Sequence, residues 1–175
     1  MSDVAHAVLE KADAIMLSGE TTTGKYPVEC VRVFKKIARR IESVHNDEPT
    51  KELVLRMPKD KMLRSAVYLA NDIEDSGIIV FSRSGYMVRV LSSLRPKVAI
   101  YAFTDNPALF RHLLILWGVE PFLMGLSNDQ EDTIGNAFDY LKRRNWVKEG
   151  QTMVLISNIL AKDKMIDTLQ IRPVQ

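Results

Sequence analysis

Residues 77–103 read GIIVFSRSGYMVRVLSSLRPKVAIYAF, and their reading decides the fold. Gly77 to Phe81 is a continuous apolar run, the pattern of a strand buried on both faces of a parallel sheet. Ser82-Arg83-Ser84-Gly85 then turns the chain into a helix that ends before Arg95-Pro96, where the chain has to leave the helical conformation. Val98 to Phe103 is a second apolar run. Strand, turn, helix and strand within so few residues make one βαβ unit.

The same alternation continues on both sides. Upstream, Asp60 can cap a helix to about Asn71 with Met62, Ala66, Leu69 and Ala70 inward. Downstream, Thr104-Asp105-Asn106-Pro107 opens a helix through about Leu116, with Asp105 or Asn106 as its cap, and Val119 to Met124 is a third strand. Ser127 or Asn128 caps a helix to about Arg144, Thr152 to Ile156 is a fourth strand, and Leu169 to Val174 is a fifth. The fifth belongs at an edge, because Pro173 cannot donate to a ladder. The pattern predicts a three-layer α/β/α sandwich around a mostly parallel sheet of about five strands. Trp117 and Trp146 fall at helix ends, where they close the core.

Residues 1–46 form a separate region. Residues 3–11 read as the end of a helix, Ala12 to Leu17 as a short buried strand, and Pro27 as the first turn of a helix of about four turns ending near His45. The polar run Asn46-Asp47-Glu48-Pro49-Thr50 marks the boundary, giving domains 1–46 and 47–175.

Composition narrows the function. The chain has 175 residues, 46% of them hydrophobic and 26% charged, with a net charge of +2. No strong basic patch favours nucleic acid, and no apolar run approaches the length of a membrane span. Lys35-Lys36 with Arg39-Arg40, and Lys142-Arg143-Arg144, read as solvated helix faces. The one cysteine, Cys30, excludes an internal disulfide, which fits a reducing cytoplasm and other compartments as well. His6, His45 and His112 have no metal-ligand spacing with it.

Two loops carry candidate chemistry. In Leu17-Ser18-Gly19-Glu20-Thr21-Thr22-Thr23-Gly24-Lys25-Tyr26-Pro27, the two glycines and the lysine have P-loop spacing. Tyr26 stands where a P-loop needs Ser or Thr, and its hydroxyl sits at the far end of a rigid ring, too distant to hold magnesium. Glu20 adds negative charge where polyphosphate would lie. A glycine-containing connection without chemistry is the plain alternative. The second loop, Ser82-Arg83-Ser84-Gly85, sets hydroxyls, an arginine and helix-start N–H groups together, as a phosphate cradle does, although serines there also serve simply as caps.

The words Ser2-Asp3-Val4-Ala5, Ala7-Val8-Leu9 and Ala12-Asp13-Ala14-Ile15-Met16-Leu17-Ser18-Gly19-Glu20-Thr21, with Gly24, Tyr26-Pro27 and Glu29, resemble the pyruvate kinase family at the last strand and helix of its (β/α)8 barrel. The alternating region resembles the same family's C-terminal domain. His6 and Thr22-Thr23 depart mildly from the family pattern. The resemblance implies a barrel remnant followed by a regulatory and assembly domain of an enzyme that moves a phosphoryl group from phosphoenolpyruvate to ADP. It implies that Ser18 and Glu20 support the edge of the active site, and that magnesium and potassium serve the intact enzyme, with none expected on this chain alone. It places a phosphorylated effector at Ser82, Arg83, Ser84 and Gly85.

Met87 stands where regulated members often carry another hydroxyl, and the later effector loop, Ser157 to Met165, lacks the family's glycines. Lys162 and Lys164 remain as possible charge, and a monophosphate or anion suits the site better than fructose 1,6-bisphosphate. Assembly is expected as a dimer or tetramer through the C-terminal domain, in the cytoplasm, without nucleic acid or membrane. The chain is expected to lack kinase activity alone, its orphan strand segment, residues 3–26, being disordered, rearranged into helix or docked on a neighbouring copy. A free-standing small-molecule sensor and a purely structural oligomerisation module are the alternatives.

Overall fold

The computed structural model describes residues 2–44, 53–127, 129–161 and 164–175. The chain divides into two compact units, Met1–Glu48 and Pro49–Gln175. The polar boundary run 46–50, His45, Asn128 and Lys162 lie outside the described residues.

In the first unit, α1 (Ser2–Leu9), α2 (Gly19–Thr22) and α3 (Pro27–Val44) follow one another. Helix α3 packs against both α1 and α2. Pro27 opens α3 as its sequence position requires, because the first turn has no use for the missing N–H. Ala12 to Leu17, expected as a strand, form no regular element. A strand exists only through a ladder, and no partner strand lies beside them among the described residues. None of residues 3–44 is fully buried, and Met16, Tyr26, Val28 and Val31 are exposed.

The second unit is the predicted sandwich. Its elements are α4 (Pro58–Asp72), β1 (Gly77–Phe81), α5 (Tyr86–Ser93), β2 (Ile100–Thr104), α6 (Pro107–Leu113), β3 (Val119–Leu123), α7 (Gln130–Arg143), β4 (Thr152–Ala161) and β5 (Lys164–Pro173). The sheet order is β3-β2-β1-β4-β5, with the first four strands parallel and β5 antiparallel at the edge. Alternate residues of each strand face opposite ways, so the central strands feed two cores. Ile78, Val80, Ile100, Ala102, Val154 and Ile156 pack under α4, α5 and α6. Ile79, Phe81, Phe103, Phe122 and Leu155 pack under α7. Burial on both faces explains why the strands read as continuous apolar runs. The two tryptophans do not close the core as expected: Trp146 is exposed and lies edge-on to Tyr101 and Phe122 at the rim of the α7 side, and half-buried Trp117 has the Arg95 guanidinium over its ring at 4.9 Å from the centre.

Several boundaries move. Met57, not Asp60, is the residue before α4. Asp60 sits one turn in, and its carboxylate accepts the Met57 N–H at 3.1 Å, so it caps from inside the helix. Asp129, rather than Ser127, caps α7 by accepting from the N–H groups of Glu131 and Asp132, while the Ser127 hydroxyl accepts the Asp129 N–H. Asn106, not Asp105, caps α6, which stops at Leu113. The largest change is at the sheet's edge. β4 continues past Ile156 and β5 starts before Leu169, pairing to Ala161 opposite Lys164. Residues 157–161 and 164–165, expected in a loop, are strand, because the antiparallel partner satisfies their backbone groups.

Candidate functional site

Strand order reverses between β1 and β4, since β2 and β3 continue on one side of β1 and the chain then returns to the other. In an open α/β sheet, ligands bind at the carboxyl ends of the strands beside such a reversal. Ser82 to Gly85 leave the carboxyl end of β1 there. Ser82 is buried, and its N–H donates to the Phe103 carbonyl at 3.0 Å, extending the ladder one residue past β1. Its hydroxyl accepts the Gly85 N–H at 2.9 Å, and the Ser84 hydroxyl accepts the Tyr86 N–H at 3.4 Å. The two serines thus hold the N–H groups of Gly85, the residue before α5, and of Tyr86, its first residue.

Gly85 has φ 76°, a left-handed conformation that favours glycine. A Cβ there would lie 2.6 Å from Leu109 Cδ1 and 3.2 Å from Arg89 Nη1. Arg89, which the sequence analysis did not single out, folds back over the turn, and its Nη2 donates to the Ser84 carbonyl at 2.9 Å. Its position one turn into α5 was the available signal. Arg83 Nε pairs with Asp105 Oδ2 at 3.2 Å across the gap between the ends of β1 and β2, with the arginine side chain 67% exposed. Such a pair is worth about 0–1 kcal/mol and yields readily to a stronger anion.

On the other flank, the buried Ser157 hydroxyl receives the Gln130 amide at 3.0 Å and shares a hydrogen bond with Thr168 at 2.9 Å. Thr104 is fully buried, and its hydroxyl accepts the Asn106 N–H at 3.2 Å. Guanidinium groups, hydroxyls and a helix start are the groups that hold an oxyanion. The described residues of the expected effector loop, 157–161 and 164–165, are strand in the β4–β5 ladder.

Ser18 and Glu20 belong to the first unit and are exposed. The Ser18 carbonyl takes the N–H groups of Thr21 and Thr22, each at 3.1 Å, and both threonine hydroxyls. Thr23 donates its hydroxyl to the Gly19 carbonyl. The three threonines thus face helix carbonyls. Gly24 closes the turn where a Cβ would lie 2.3 Å from the Glu20 carbonyl oxygen, so Gly24 answers a steric demand of α2, whereas a Cβ at Gly19 would meet nothing. Hydrogen bonds from its own N–H and from the Ser18 N–H, the latter 3.0 Å long, hold the Glu20 carboxyl below the usual range. Glu20 borders an apolar cleft of about 330 Å³ lined by Val4, Leu17, Cys30, Phe34 and Ile37. His6 pairs with Glu10 at 3.1 Å on the α1 surface. Among the described residues, no three His, Cys, Asp or Glu side chains gather as a metal site, and no helix is long and apolar enough to cross a membrane.

Comparison with known proteins joins the two units. Residues 60–172 match the family pyruvate kinase, alpha/beta domain, and residues 1–31 match pyruvate kinase, barrel domain. Among curated relatives, pyruvate kinase isozyme A, chloroplastic, of Nicotiana tabacum is 31% identical over 91% of this chain and 28% of its own length. Plastidial pyruvate kinase 3, chloroplastic, of Arabidopsis thaliana is 35% identical over 100% of this chain and 32% of its own. The structure of Cryptosporidium parvum pyruvate kinase in complex with ADP superposes with a TM-score of 0.79 at 26% identity, covering 99% of this chain and 36% of that one. The chain thus spans about a third or less of these two curated relatives.

Proposed function

The chain belongs to the pyruvate kinase family, and from that premise we propose that it works as the C-terminal portion of a pyruvate kinase, serving allosteric control and subunit assembly. The match of residues 60–172 to the family's alpha/beta domain carries this reading. The intact enzyme moves a phosphoryl group from phosphoenolpyruvate to ADP with magnesium and potassium. Such transfer depends on positioning and charge neutralisation around the moving group. Ser18 and Glu20 support the edge of that active site, and the main ligands come from barrel strands earlier in a full-length family member. The portion is inactive alone, works in the cytoplasm, and assembles as a dimer or tetramer through residues 47–175.

Ser82, Arg83, Ser84 and Gly85 receive the phosphate of an effector. Binding replaces the Asp105 carboxylate at Arg83 and draws on the N–H groups that the two serines now cap. The β4–β5 ladder favours a monophosphate, because no flexible glycine loop remains to wrap a second phosphate.

The deciding experiment has two arms. With phosphoenolpyruvate, ADP, magnesium and potassium, the purified chain should form no pyruvate, and turnover would refute the assignment of inactivity. Calorimetric titration with sugar monophosphates and AMP should give binding that Arg83→Ala weakens; no heat from any of them would remove the effector site. The sensor reading stays in contention because the sandwich carries its own two-sided core. A native gene that starts at Met1 favours it, and a reading frame continuous with a barrel upstream favours the enzyme portion.

A further inference from the structure

The start of α4 is held from two sides. Asp60 is buried, 7% exposed, and uses one oxygen for each of two partners, one distant and one local: Oδ1 accepts the Tyr86 phenol hydrogen, 26 residues away, and Oδ2 accepts the Met57 N–H at 3.1 Å. Its neighbour Lys59 reaches the other way, with Nζ 2.8 Å from Asp167 Oδ1 on β5 and both side chains about two-thirds buried. Asp167 also takes the amide of Asn158, its ladder partner on β4. Tyr86 is the first residue of α5 and directly follows Gly85, and its own N–H is capped by Ser84. Met57 ends a stretch in which Leu53 and Leu55 pack on the sandwich core.

We infer that Asp60, gripped by Tyr86, is a latch that passes the state of the Ser82–Gly85 turn to residues 53–57, the stretch through which the α/β unit joins the chain before it. The inference rests on the anion reading of that turn for its ligand. An anion that draws on the Tyr86 N–H or displaces the Ser84 hydroxyl shifts the first residue of α5, and with it the ring that holds Asp60. Because the same carboxylate holds the Met57 N–H, the two movements cannot be independent. Lys59 and Asp167 supply the fixed side against which the latch works. Tyr86 is thus a positioning residue. The charged and titratable groups that face Asp60 are Lys59 on its own helix, the Tyr86 phenol on α5, and Asp167 on β5 beyond Lys59.

Hydrogen exchange on the whole chain tests the latch, with circular dichroism confirming that Tyr86→Phe stays folded. Without added ligand, amides 57–60 should exchange about tenfold faster in Tyr86→Phe, the effect of losing a hydrogen bond to a charged group in a local opening. In the wild type, inorganic phosphate should slow exchange at 83–86 and at 57–60 together; in Tyr86→Phe it should slow 83–86 alone. Equal exchange at 57–60 in the two proteins, or phosphate protection of 57–60 that survives the substitution, overturns the inference. If phosphate protects nothing in the wild type, the anion reading fails, and the latch stands or falls on the ligand-free comparison.

The pH profile adds a readout that a purely structural role would leave alone. Hydrogen bonds from Tyr86 first and Met57 second hold the Asp60 carboxyl below its ordinary range. After correction for intrinsic rates, opening at 57–60 should rise as acid protonates Asp60. The midpoint should move to higher pH in Tyr86→Phe and vanish in Asp60→Asn, and an unmoved midpoint counts against the latch.

Discussion

At the scale of single residues, two positions carry more than their side chains announce. Gly85 combines φ 76° with a Leu109 methyl 2.6 Å from where a Cβ would stand. Gly85→Ala should therefore destabilise the α/β unit by roughly 2 kcal/mol, adding backbone strain to overpacking. A urea midpoint equal to the wild type's would mean that the turn rearranges without cost. Asp60 makes stability depend on pH. Its folded-state pKa lies below its unfolded value, so its contribution is present above the ordinary aspartate value of about 3.9 and is lost as pH falls through the folded value. Asp60→Asn should thus be less stable than the wild type at neutral pH, with the gap narrowing in acid. A gap that widens below pH about 4 would reverse the assigned sign. The Gly85 turn was legible, since a glycine between a strand and a helix marks one. The Asp60–Tyr86 bond was not, because 26 residues separate its partners and neither belongs to a motif.

At the scale of elements, caps and ladders decide where segments begin and end. Asn106 Oδ1 accepts from Ala108 at 2.9 Å and from Leu109 at 3.2 Å, and Asp129 Oδ1 accepts from Glu131 at 2.8 Å. Asn106→Ala and Asp129→Ala should each cost about 1 kcal/mol in thermal or urea unfolding, with Asn106→Gly costing less. Indifference to both would mean that water satisfies these helix starts as well as the side chains do. The sequence reading succeeded for β1 and β2, whose apolar runs are buried throughout, and for β3, where Glu120 and Leu123 are exposed but Val119, Pro121 and Phe122 are buried. It erred in two opposite ways at strands whose partners lie elsewhere. Ala12 to Leu17 have the composition of a strand without a ladder, and Ser157 to Ala161 lack a clear strand pattern but possess one. Polar Ser157 and Asn158 sit comfortably there because Thr168 and Asp167 oppose them.

At the scale of the whole molecule, burial separates the two units. The second holds Phe103, Leu155 and Ile156 at or near zero exposure, whereas none of residues 3–44 is fully buried. Native-state hydrogen exchange should find α3 opening at a lower free energy than β1 and β2, which should exchange only on global unfolding. Phe103→Ala, which removes a ring from the centre of the α7-side core, should lower the stability of the α/β unit by about 3–5 kcal/mol and leave α3 exchange unchanged. Coincident protection of α3 and β1 would overturn that separation. The amino-acid sequence alone determined the alternation of helices and strands, the three layers, the edge position of β5 and the family resemblance. Each depends on local periodicity or on a short contiguous word, which chain order preserves. Tertiary structure alone decided the strand order, the length of the β4–β5 ladder, the absence of a strand at 12–17, and the pairing of Arg83 with Asp105 and of Tyr86 with Asp60. These depend on which distant groups meet, and chain order does not carry that information.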